Sequence, residues 1–252
     1  MLLLIKELLL NIMDFQDNLC ESGLKRYHNI RNKYEIGIDE VGRGPMFGRL
    51  YVAGVILPKD DTFLHKNMKD SKKIHSHKKM TVLAEYIKEH AIAWHIHYEE
   101  AAVIDTINIR QSVLQAMKEC AKQIMRKMND IEKNVESTDF DNHYFLIIDG
   151  NDFPGYMMFD EKTEAYCHIP HITVEQGDNN YTSIAAASII AKQARDEYIL
   201  NLCEEYPDLK EKYVMHKNMG YGTKDHIEGI KQWGITKWHR RSFGICKTSE
   251  IR

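Results

Sequence analysis

Acidic side chains occupy three places in the sequence where a strand is predicted to end or a helix to begin. Asp39 and Glu40 close the first predicted strand, and Asp149 closes a continuous apolar run. Asp178 lies shortly before the segment with the clearest helical periodicity. Strand ends that lie side by side in a sheet bring such side chains together. Clustered carboxylates repel one another unless divalent cations neutralise them, and ligand sets made of oxygen suit Mg²⁺ or Mn²⁺. The pattern therefore predicts a metal site.

The neighbouring positions of Asp39 and Glu40 raise a geometric question. Adjacent residues on a regular strand point to opposite faces of the sheet. Both side chains can face one metal if the strand bends there or if a backbone oxygen replaces one carboxylate. Gly42 and Gly44 follow at once and make such a bend easy. A single loop carboxylate is more often a solvated surface group, but the pairing with a glycine turn favours a functional site.

The apolar pattern predicts the elements that carry these residues. Residues 34–41 alternate apolar and polar side chains, whereas residues 145–148 are apolar throughout, as in a central strand that is covered on both faces. Ser76 is a candidate N-cap for a helix. The C-terminal region, rich in His, Lys, Arg and Trp, is predicted to be helical. Further strands are predicted at 51–57, 92–98 and 172–174, and helices at 76–87, 109–128 and 184–202.

The composition predicts one large domain with attachments. Of the 252 residues 43% are apolar, enough to bury one core. The predicted division is an N-terminal extension 1–33, a catalytic domain 34–205 and a helical C-terminal region 206–252. The formal charge of -3 excludes a globally basic protein that coats nucleic acid, so nucleic-acid binding would have to use local Lys and Arg clusters.

The cysteines and the opening segment bear on the compartment. Five dispersed cysteines without a C-x-x-C pair argue against a zinc site or a disulfide framework and favour a reducing compartment. Residues 1–10 are apolar, but Lys6 and Glu7 divide them, which favours a short packed helix over a membrane anchor. We therefore expect a soluble, cytoplasmic protein that does not enter a membrane.

Several blocks of residues, in a fixed order, resemble the type 2 ribonuclease H family, which is also called ribonuclease HII. The resemblance runs from about Glu35 to Phe243. The ordered set is highly specific, because unrelated folds have no reason to share the blocks and their order. The blocks are Gly37-Ile38-Asp39-Glu40-Val41-Gly42-Arg43-Gly44-Pro45, Asp70-Ser71-Lys72-Lys73, Ile104-Asp105-Thr106-Ile107-Asn108-Ile109, Ile148-Asp149-Gly150, Gly177-Asp178, residues 183–192, Gly220-Tyr221-Gly222-Thr223 and His239-Arg240-Arg241-Ser242-Phe243.

The resemblance implies an α/β, ribonuclease H-like fold: a mixed five-stranded sheet flanked by helices, with a helical C-terminal region. It implies hydrolysis of the RNA strand of RNA·DNA hybrids and nicking on the 5′ side of ribonucleotides embedded in duplex DNA, leaving 3′-hydroxyl and 5′-phosphate ends. Two Mg²⁺ or Mn²⁺ ions would clamp the scissile phosphate, with Asp39 as the ligand they share. The catalytic, metal-binding residues would be Asp39, Glu40, Asp149 and Asp178.

Substrate selection requires a group that reads the ribose 2′-hydroxyl, which separates RNA from DNA. Gly42 and Gly44 allow backbone groups to approach the sugar, and Arg43 can meet a phosphate. In the family this turn works with the tyrosine that matches Tyr221, whose ring would press against the sugar after a ribonucleotide. The alternatives are a plain tight turn, a solvated arginine and a half-buried tyrosine anchor.

Other polar residues are weaker candidates. Lys72 and Lys192 are proposed to contact the nucleic-acid backbone, although a solvated lysine is the commoner outcome. Arg240 and Arg241 either bind the duplex backbone or close the C-terminal tail. The histidines near the C-terminus are expected to lie at the surface or to be hydrogen-bonded, because a metal-activated water needs no His base. These histidines are His216, His226 and His239.

The sequence departs from the family pattern at several places. Met46 and Phe47 follow Pro45 where the family has small residues, and Arg49 and Tyr51 stand where smaller residues or proline are common. These departures predict a different packing of the second strand. The N-terminal extension is unusual in length, and the loop 129–142 and the segment after Asp149 are candidates for altered substrate contacts. No terminal clamp-binding peptide is obvious and no stable protein partner is evident, so docking to a replication clamp is left open.

Two other functions stay open from the residues themselves. One is a DNA nuclease or transposase of the wider ribonuclease H-like group, against which the glycine turn and Tyr221 argue. The other is a non-catalytic nucleic-acid-binding protein. Such a protein needs no converging acids and would carry more positive charge than this chain has.

Overall fold

The computed structural model describes residues 19–20, 23–68, 76–131, 143–160 and 164–251. Three expectations lie outside these residues: the helix in the opening segment 1–10, the role of Lys72, and most of the loop 129–142. Within the described part of the chain, no helix combines the length and the apolar character needed to cross a bilayer.

A mixed sheet of five strands forms the centre of the fold and confirms the predicted class. Strand β1 (Tyr34–Val41) pairs antiparallel with β2 (Leu50–Ile56), which pairs antiparallel with β3 (Ala93–Glu99). On its other side β1 pairs parallel with β4 (Tyr144–Asp149), and β4 pairs parallel with the edge strand β7 (His171–Val174). The order β3-β2-β1-β4-β7 makes neighbours of the two strands that end in predicted carboxylates.

Helices follow β2 and β3 in the chain. Helix α1 (His77–His90) begins at Ser76, whose hydroxyl accepts the N–H three residues later at 3.4 Å, which confirms the predicted N-cap. Helices α2 (Ala101–Ile107) and α3 (Ile109–Ile131) are separated by Asn108, whose φ of 68° interrupts the helical path. The periodicity predicted α3 but not α2, which is too short to show a stripe.

The two faces of the sheet carry separate apolar cores. Helix α3 packs on one face, where Ile36, Ile38 and Ile148 are completely buried. Helix α4 (Thr182–Glu205) packs on the other face, and its side chains from residue 182 to residue 191 are all buried. The sequence predicted one buried stripe on this helix. Burial extends all round it because α4 contacts β1 and β2 on one side and α1 on another.

A hairpin that the sequence pattern does not predict follows β4. It consists of β5 (Tyr156–Asp160) and β6 (Ala165–Ile169), which pair antiparallel. Met157 and Phe159 are exposed. Because residues 156–159 are all apolar, the alternation that marks a half-buried strand is missing from the sequence.

Short helices form the C-terminal region, as predicted. They enclose a third apolar cluster that contains the completely buried Phe47. The residues on either side of Phe47 make backbone hydrogen bonds to the C-terminal region. Met46 N–H donates to Gly220 C=O and Gly48 N–H donates to Trp238 C=O, both at 2.9 Å. The large residue at position 47 is thus an anchor for the C-terminal region. The helices are α5 (Asp208–Tyr213), α6 (Met215–Asn218) and α7 (Lys224–Trp233).

The described part of the N-terminal extension packs against the core. Cys20 and Leu24 are buried in the apolar cluster beneath α4. Lys25 donates its N–H to Asn180 C=O at 2.8 Å and accepts the N–H of Thr182 at 2.9 Å. The second bond satisfies one of the free N-terminal amides of α4, which lacks a side-chain cap.

Candidate active site

The predicted carboxylates meet at the carboxyl ends of the two central parallel strands. The register between β1 and β4 pairs Ile38 with Ile148, so Asp39 and Asp149 follow at the same edge of the sheet. Oxygen atoms of Asp39, Glu40 and Asp149 lie within 4.8 Å of one another. Strand order and register thus bring these three side chains, here called the carboxylate cluster, into one place.

Asp39 and Glu40 reach the cluster from a regular strand. The register between β1 and β2 runs without interruption from Ile36 to Val41, so the strand has no bulge at this point. The carboxylate of Asp39 turns along the chain and accepts the N–H of Glu40 at 2.7 Å. Glu40 lies on the α3 face and lines a cavity there. Its longer side chain still brings a carboxylate oxygen within 4.8 Å of those of Asp39 and Asp149.

Burial and mutual repulsion raise the proton affinity of the cluster. Desolvation, then the charges of Asp149 and Glu40, raise the pKa of Asp39 well above its usual value, and a hydrogen bond with Ser188 opposes the shift. Desolvation and the charge of Asp149 raise the pKa of Glu40 to about 7, against the pull of Arg43. A nearby cation would stabilise the ionised carboxylates and reverse these shifts. The electrostatics therefore favour bound cations.

Asp178 lies beside the cluster in a 3-10 turn, Gly177–Asn179, and is 4% exposed. Its charge contributes to the raised pKa of Asp39, but its oxygens do not join the group that lies within 4.8 Å. The N–H of Gly177 donates to Asp149 Oδ1 at 2.6 Å. A Cβ on Gly177 would lie 2.5 Å from Ile184 Cδ1 and 3.0 Å from Asp149 Oδ1, so glycine lets the turn approach the cluster without displacing either side chain.

The donor set fits divalent cations such as Mg²⁺ and Mn²⁺. Among the described residues, the group offers carboxylate oxygens and neither a cysteine nor a histidine. Hard cations prefer such ligands. The three oxygens are close enough to share an ion, and Asp178 adds a fourth carboxylate at the edge of the group.

A buried arginine that the sequence analysis did not single out supports the turn after β1. Gly42 has a φ of 94°, and a Cβ there would lie 2.5 Å from Arg195 Nε. Glycine alone suits both this backbone conformation and this close approach. Arg195, completely buried on α4, donates from Nη2 to Met219 C=O at 2.7 Å. It therefore connects the glycine turn to the loop that carries Tyr221.

Tyr221 lies against the same turn. Its Cε1 atom would be 3.9 Å from a Cβ built on Gly44, and the guanidinium of Arg195 lies 5.7 Å from the ring centroid. The tyrosine is 46% exposed. Arg43, on the turn, extends toward the cluster, with Nη1 3.6 Å from Glu40 Oε1. The structure thus places the turn, the tyrosine and the carboxylates side by side.

Arg240 supports the turn from the C-terminal region. It is completely buried, and it donates from Nε to Gly48 C=O at 3.0 Å and from Nη1 to Arg43 C=O at 3.2 Å. Desolvation, reinforced by the charge of Arg195, lowers the pKa of Arg240 to about 9. Of the two alternatives left open for Arg240, its complete burial argues against a contact with a duplex backbone. Arg241 is exposed.

Two cationic residues near the cluster, Lys192 and Arg110, each form an ion pair with an aspartate. Lys192 lies one helical turn after the serine that bonds Asp39, and it forms an ion pair with Asp196. Arg110, which the sequence analysis missed, lines the cavity beside the cluster and makes two hydrogen bonds of 2.6 Å to Asp152. Its position in the first turn of α3, next to the block that ends at residue 109, was an available signal.

Comparisons with known proteins point to one family. The family model described as Ribonuclease HII matches residues 36–246. A ribonuclease HII of Oceanobacillus iheyensis is 36% identical over 212 residues, which cover 84% of this chain and 69% of the relative. A ribonuclease HII of Bacteroides thetaiotaomicron is 38% identical over 217 residues, covering 86% of this chain and 92% of the relative. The solved structure of a PCNA:RNase HII complex from Archaeoglobus fulgidus matches with a TM-score of 0.60 and 25% identity, over 84% of this chain and 95% of that one.

Proposed function

The chain belongs to the ribonuclease HII family and is an endonuclease that cleaves RNA in RNA·DNA hybrids, and we propose that it also nicks duplex DNA on the 5′ side of embedded ribonucleotides. The proposed products carry 3′-hydroxyl and 5′-phosphate ends. One observation carries this proposal: the carboxylate cluster, the glycine turn 42–44 and Tyr221 lie together at one edge of the sheet.

The enzyme depends on divalent metal, and we propose that Asp39, Glu40, Asp149 and Asp178 hold two Mg²⁺ or Mn²⁺ ions. When bound, such ions neutralise charge at the scissile phosphate and activate a water for attack. Asp39 is the proposed shared ligand. This assignment is supported by the pKa of Asp39, which the charges of all three other carboxylates raise.

The protein holds these ligands in place before substrate binds. The Ser188 hydrogen bond and the N–H of Glu40 restrain the carboxylate of Asp39, and the N–H of Gly177 restrains that of Asp149. Fixed ligands need no reorganisation during the reaction, which is a main source of rate enhancement. His226 and His239, two buried histidines of the C-terminal region, are given no part in proton transfer.

Selection of ribonucleotides is assigned to the turn and the tyrosine. Gly42 and Gly44 leave the backbone of the turn bare, so that its polar groups can approach a 2′-hydroxyl. The partly exposed ring of Tyr221, which faces Gly44, is placed to pack against the next sugar. A ring in that position favours the RNA-to-DNA junction, where the following sugar lacks the 2′-hydroxyl.

Phosphate binding is assigned to local cations, because the net charge of the chain is negative. Arg43 is half exposed at the cluster and is the main candidate. We propose weaker backbone contacts for Lys192, which would have to leave Asp196, and for Lys72, which lies outside the described residues. Because the five cysteines are free, which suits a reducing compartment, the proposed compartment is the cytoplasm.

The proposal is tested with a DNA duplex that contains one ribonucleotide, labelled at its 5′ end. With Mg²⁺ or Mn²⁺ the protein should nick on the 5′ side of the ribonucleotide, and Asp39→Asn should abolish the nick. Asp60→Asn is the matched control, since Asp60 is exposed and remote from the cluster. Its activity should equal that of the wild type.

Two further substrates decide between the alternatives. Cleavage of an all-DNA duplex at a comparable rate would favour a DNA nuclease of the wider group and contradict the proposal. Tyr221→Ala should reduce cleavage of the single-ribonucleotide duplex more than that of a long hybrid. Equal losses on both would remove the junction role from Tyr221 while leaving the nuclease assignment intact.

A further inference from the structure

Two buried histidines that take no part in the proposed chemistry connect the C-terminal segment to Tyr221. His226 on α7 is completely buried, His239 is 1% exposed, and their Nε2 atoms lie 3.1 Å apart. His226 Nδ1 lies 2.9 Å from the carbonyl oxygen of Tyr221, and His239 Nδ1 lies 2.9 Å from the backbone N of Thr236. These contacts form one continuous chain, here called the histidine chain.

One arrangement of protons satisfies the histidine chain. The N–H of Thr236 can only donate, so His239 Nδ1 accepts and His239 carries its proton on Nε2. That proton is donated to His226 Nε2, which leaves His226 with its proton on Nδ1, facing the carbonyl of Tyr221. Both rings are then neutral. Burial lowers the pKa of both histidines, that of His239 to about 3, so the neutral state persists at neutral pH.

The other end of the histidine chain is fixed to the segment that follows the glycine turn. His239 forms an antiparallel bridge with Phe47, whose ring meets the imidazole edge-on at 5.0 Å between centroids. The N–H of the next residue, Arg240, donates to Met46 C=O at 2.8 Å. The two parts of the proposed ribonucleotide-reading site are therefore joined through His239 and His226.

We propose that His226 and His239 are positioning residues that hold the Tyr221 ring at a fixed distance from the glycine turn and thereby set the preference for RNA-to-DNA junctions. The Tyr221 carbonyl accepts the N–H of Thr223 at 2.8 Å as well as His226 Nδ1, so its backbone is held by two bonds. The ring is 46% exposed, so its placement depends strongly on that backbone. This inference rests on the role proposed above for Tyr221.

The proton arrangement can be tested on the unaltered protein. Nitrogen-15 NMR of the imidazoles distinguishes a protonated from an unprotonated ring nitrogen. We expect opposite tautomers at neutral pH, with the proton of His226 on Nδ1 and that of His239 on Nε2. Finding the same tautomer in both rings, or a charged ring, would overturn the histidine chain without reference to activity.

The effect on substrate choice is tested with two variants of His226. In His226→Asn the amide nitrogen can take the place of Nδ1 and donate to the Tyr221 carbonyl, whereas His226→Leu cannot donate. The readout is the ratio of kcat/KM on the single-ribonucleotide duplex to kcat/KM on a long hybrid. Loss of one buried hydrogen bond should lower this ratio about tenfold in His226→Leu, and His226→Asn should stay within about threefold of the wild type.

Two comparisons separate the possible failures. Leu209→Ala removes a buried side chain from the same apolar cluster and removes none of the hydrogen bonds of the histidine chain, so it should lower stability and leave the ratio unchanged. Tyr221→Ala is measured alongside. If Tyr221→Ala lowers the ratio but folded His226→Leu does not, the positioning role is refuted and the function proposed for Tyr221 stands. If Tyr221→Ala leaves the ratio unchanged, both roles are refuted.

Discussion

The repulsion within the carboxylate cluster predicts that Glu40→Gln stabilises the protein when divalent ions are removed. Desolvation, then the charge of Asp149, raises the pKa of Glu40 from 4.5 to about 7. A group whose pKa is higher in the folded chain stabilises the fold fully below its unfolded pKa, and that contribution is lost as pH rises through the folded value. For Glu40 the window therefore runs from pH 4.5 to about 7.

The magnitude follows from the size of the shift. At roughly 1.4 kcal/mol for each pKa unit, the ionisation of Glu40 should by itself lower the free energy of unfolding of the wild type by about 3 kcal/mol across this window. Glutamine keeps the shape of the side chain and stays neutral at every pH. Relative to the wild type, Glu40→Gln should therefore gain about 3 kcal/mol between about pH 4.5 and about pH 8, reduced by the lost ion pair with the half-exposed Arg43.

The assay is urea unfolding followed by circular dichroism in EDTA across this pH range, and again with excess Mg²⁺. Mg²⁺ should shrink or reverse the difference, because a cation that binds the folded wild type more tightly stabilises it more. Glu211→Gln, an exposed glutamate on α5, is the control and should differ from the wild type by no more than about 0.5 kcal/mol at every pH. A Glu40→Gln protein that is no more stable than the wild type at about pH 8 in EDTA would refute the reasoning.

Two other predictions test the supports of the site. Gly42→Ala places a Cβ 2.5 Å from Arg195 at a φ of 94°, so urea unfolding should show a loss of about 1–3 kcal/mol. In Gly44→Ala the new Cβ would have its nearest neighbour, Tyr221 Cε1, at 3.9 Å, so the loss of unfolding free energy should be clearly smaller. Equal losses in the two variants would contradict the packing argument. Lys25→Pro removes the N–H that donates to Asn180 C=O in the loop after Asp178. This substitution should lower the free energy of unfolding by about 1 kcal/mol. It should also weaken the binding of Mn²⁺, measured by calorimetry. Lys25→Ala keeps both backbone hydrogen bonds of this residue. An effect of equal size in Lys25→Ala would show that these hydrogen bonds do not support the loop.

Some expectations from the sequence were incomplete for identifiable reasons. The sequence left open how Asp39 and Glu40 could face one metal, through a bend or through a backbone oxygen, whereas in the structure their carboxylate oxygens approach each other from a strand of uninterrupted register. The hairpin of β5 and β6 has no alternating pattern because its residues 156–159 are all apolar. The sequence left open whether Arg240 binds a duplex backbone or closes the C-terminal tail, and the structure buries it against the glycine turn.

The amino-acid sequence predicts the five strands of the sheet, most of the long helices and the carboxylate side chains at the strand ends. These features are local, because the apolar periodicity, the helix caps and the strand ends depend on residues that are close together in the sequence. Three contacts became visible only in the folded structure. Arg195 packs against Gly42, Lys25 forms backbone hydrogen bonds at the start of α4, and His226 is hydrogen-bonded to His239. Such contacts join positions far apart in the chain. Which residues meet there depends on strand order and helix packing, and no local pattern specifies that choice.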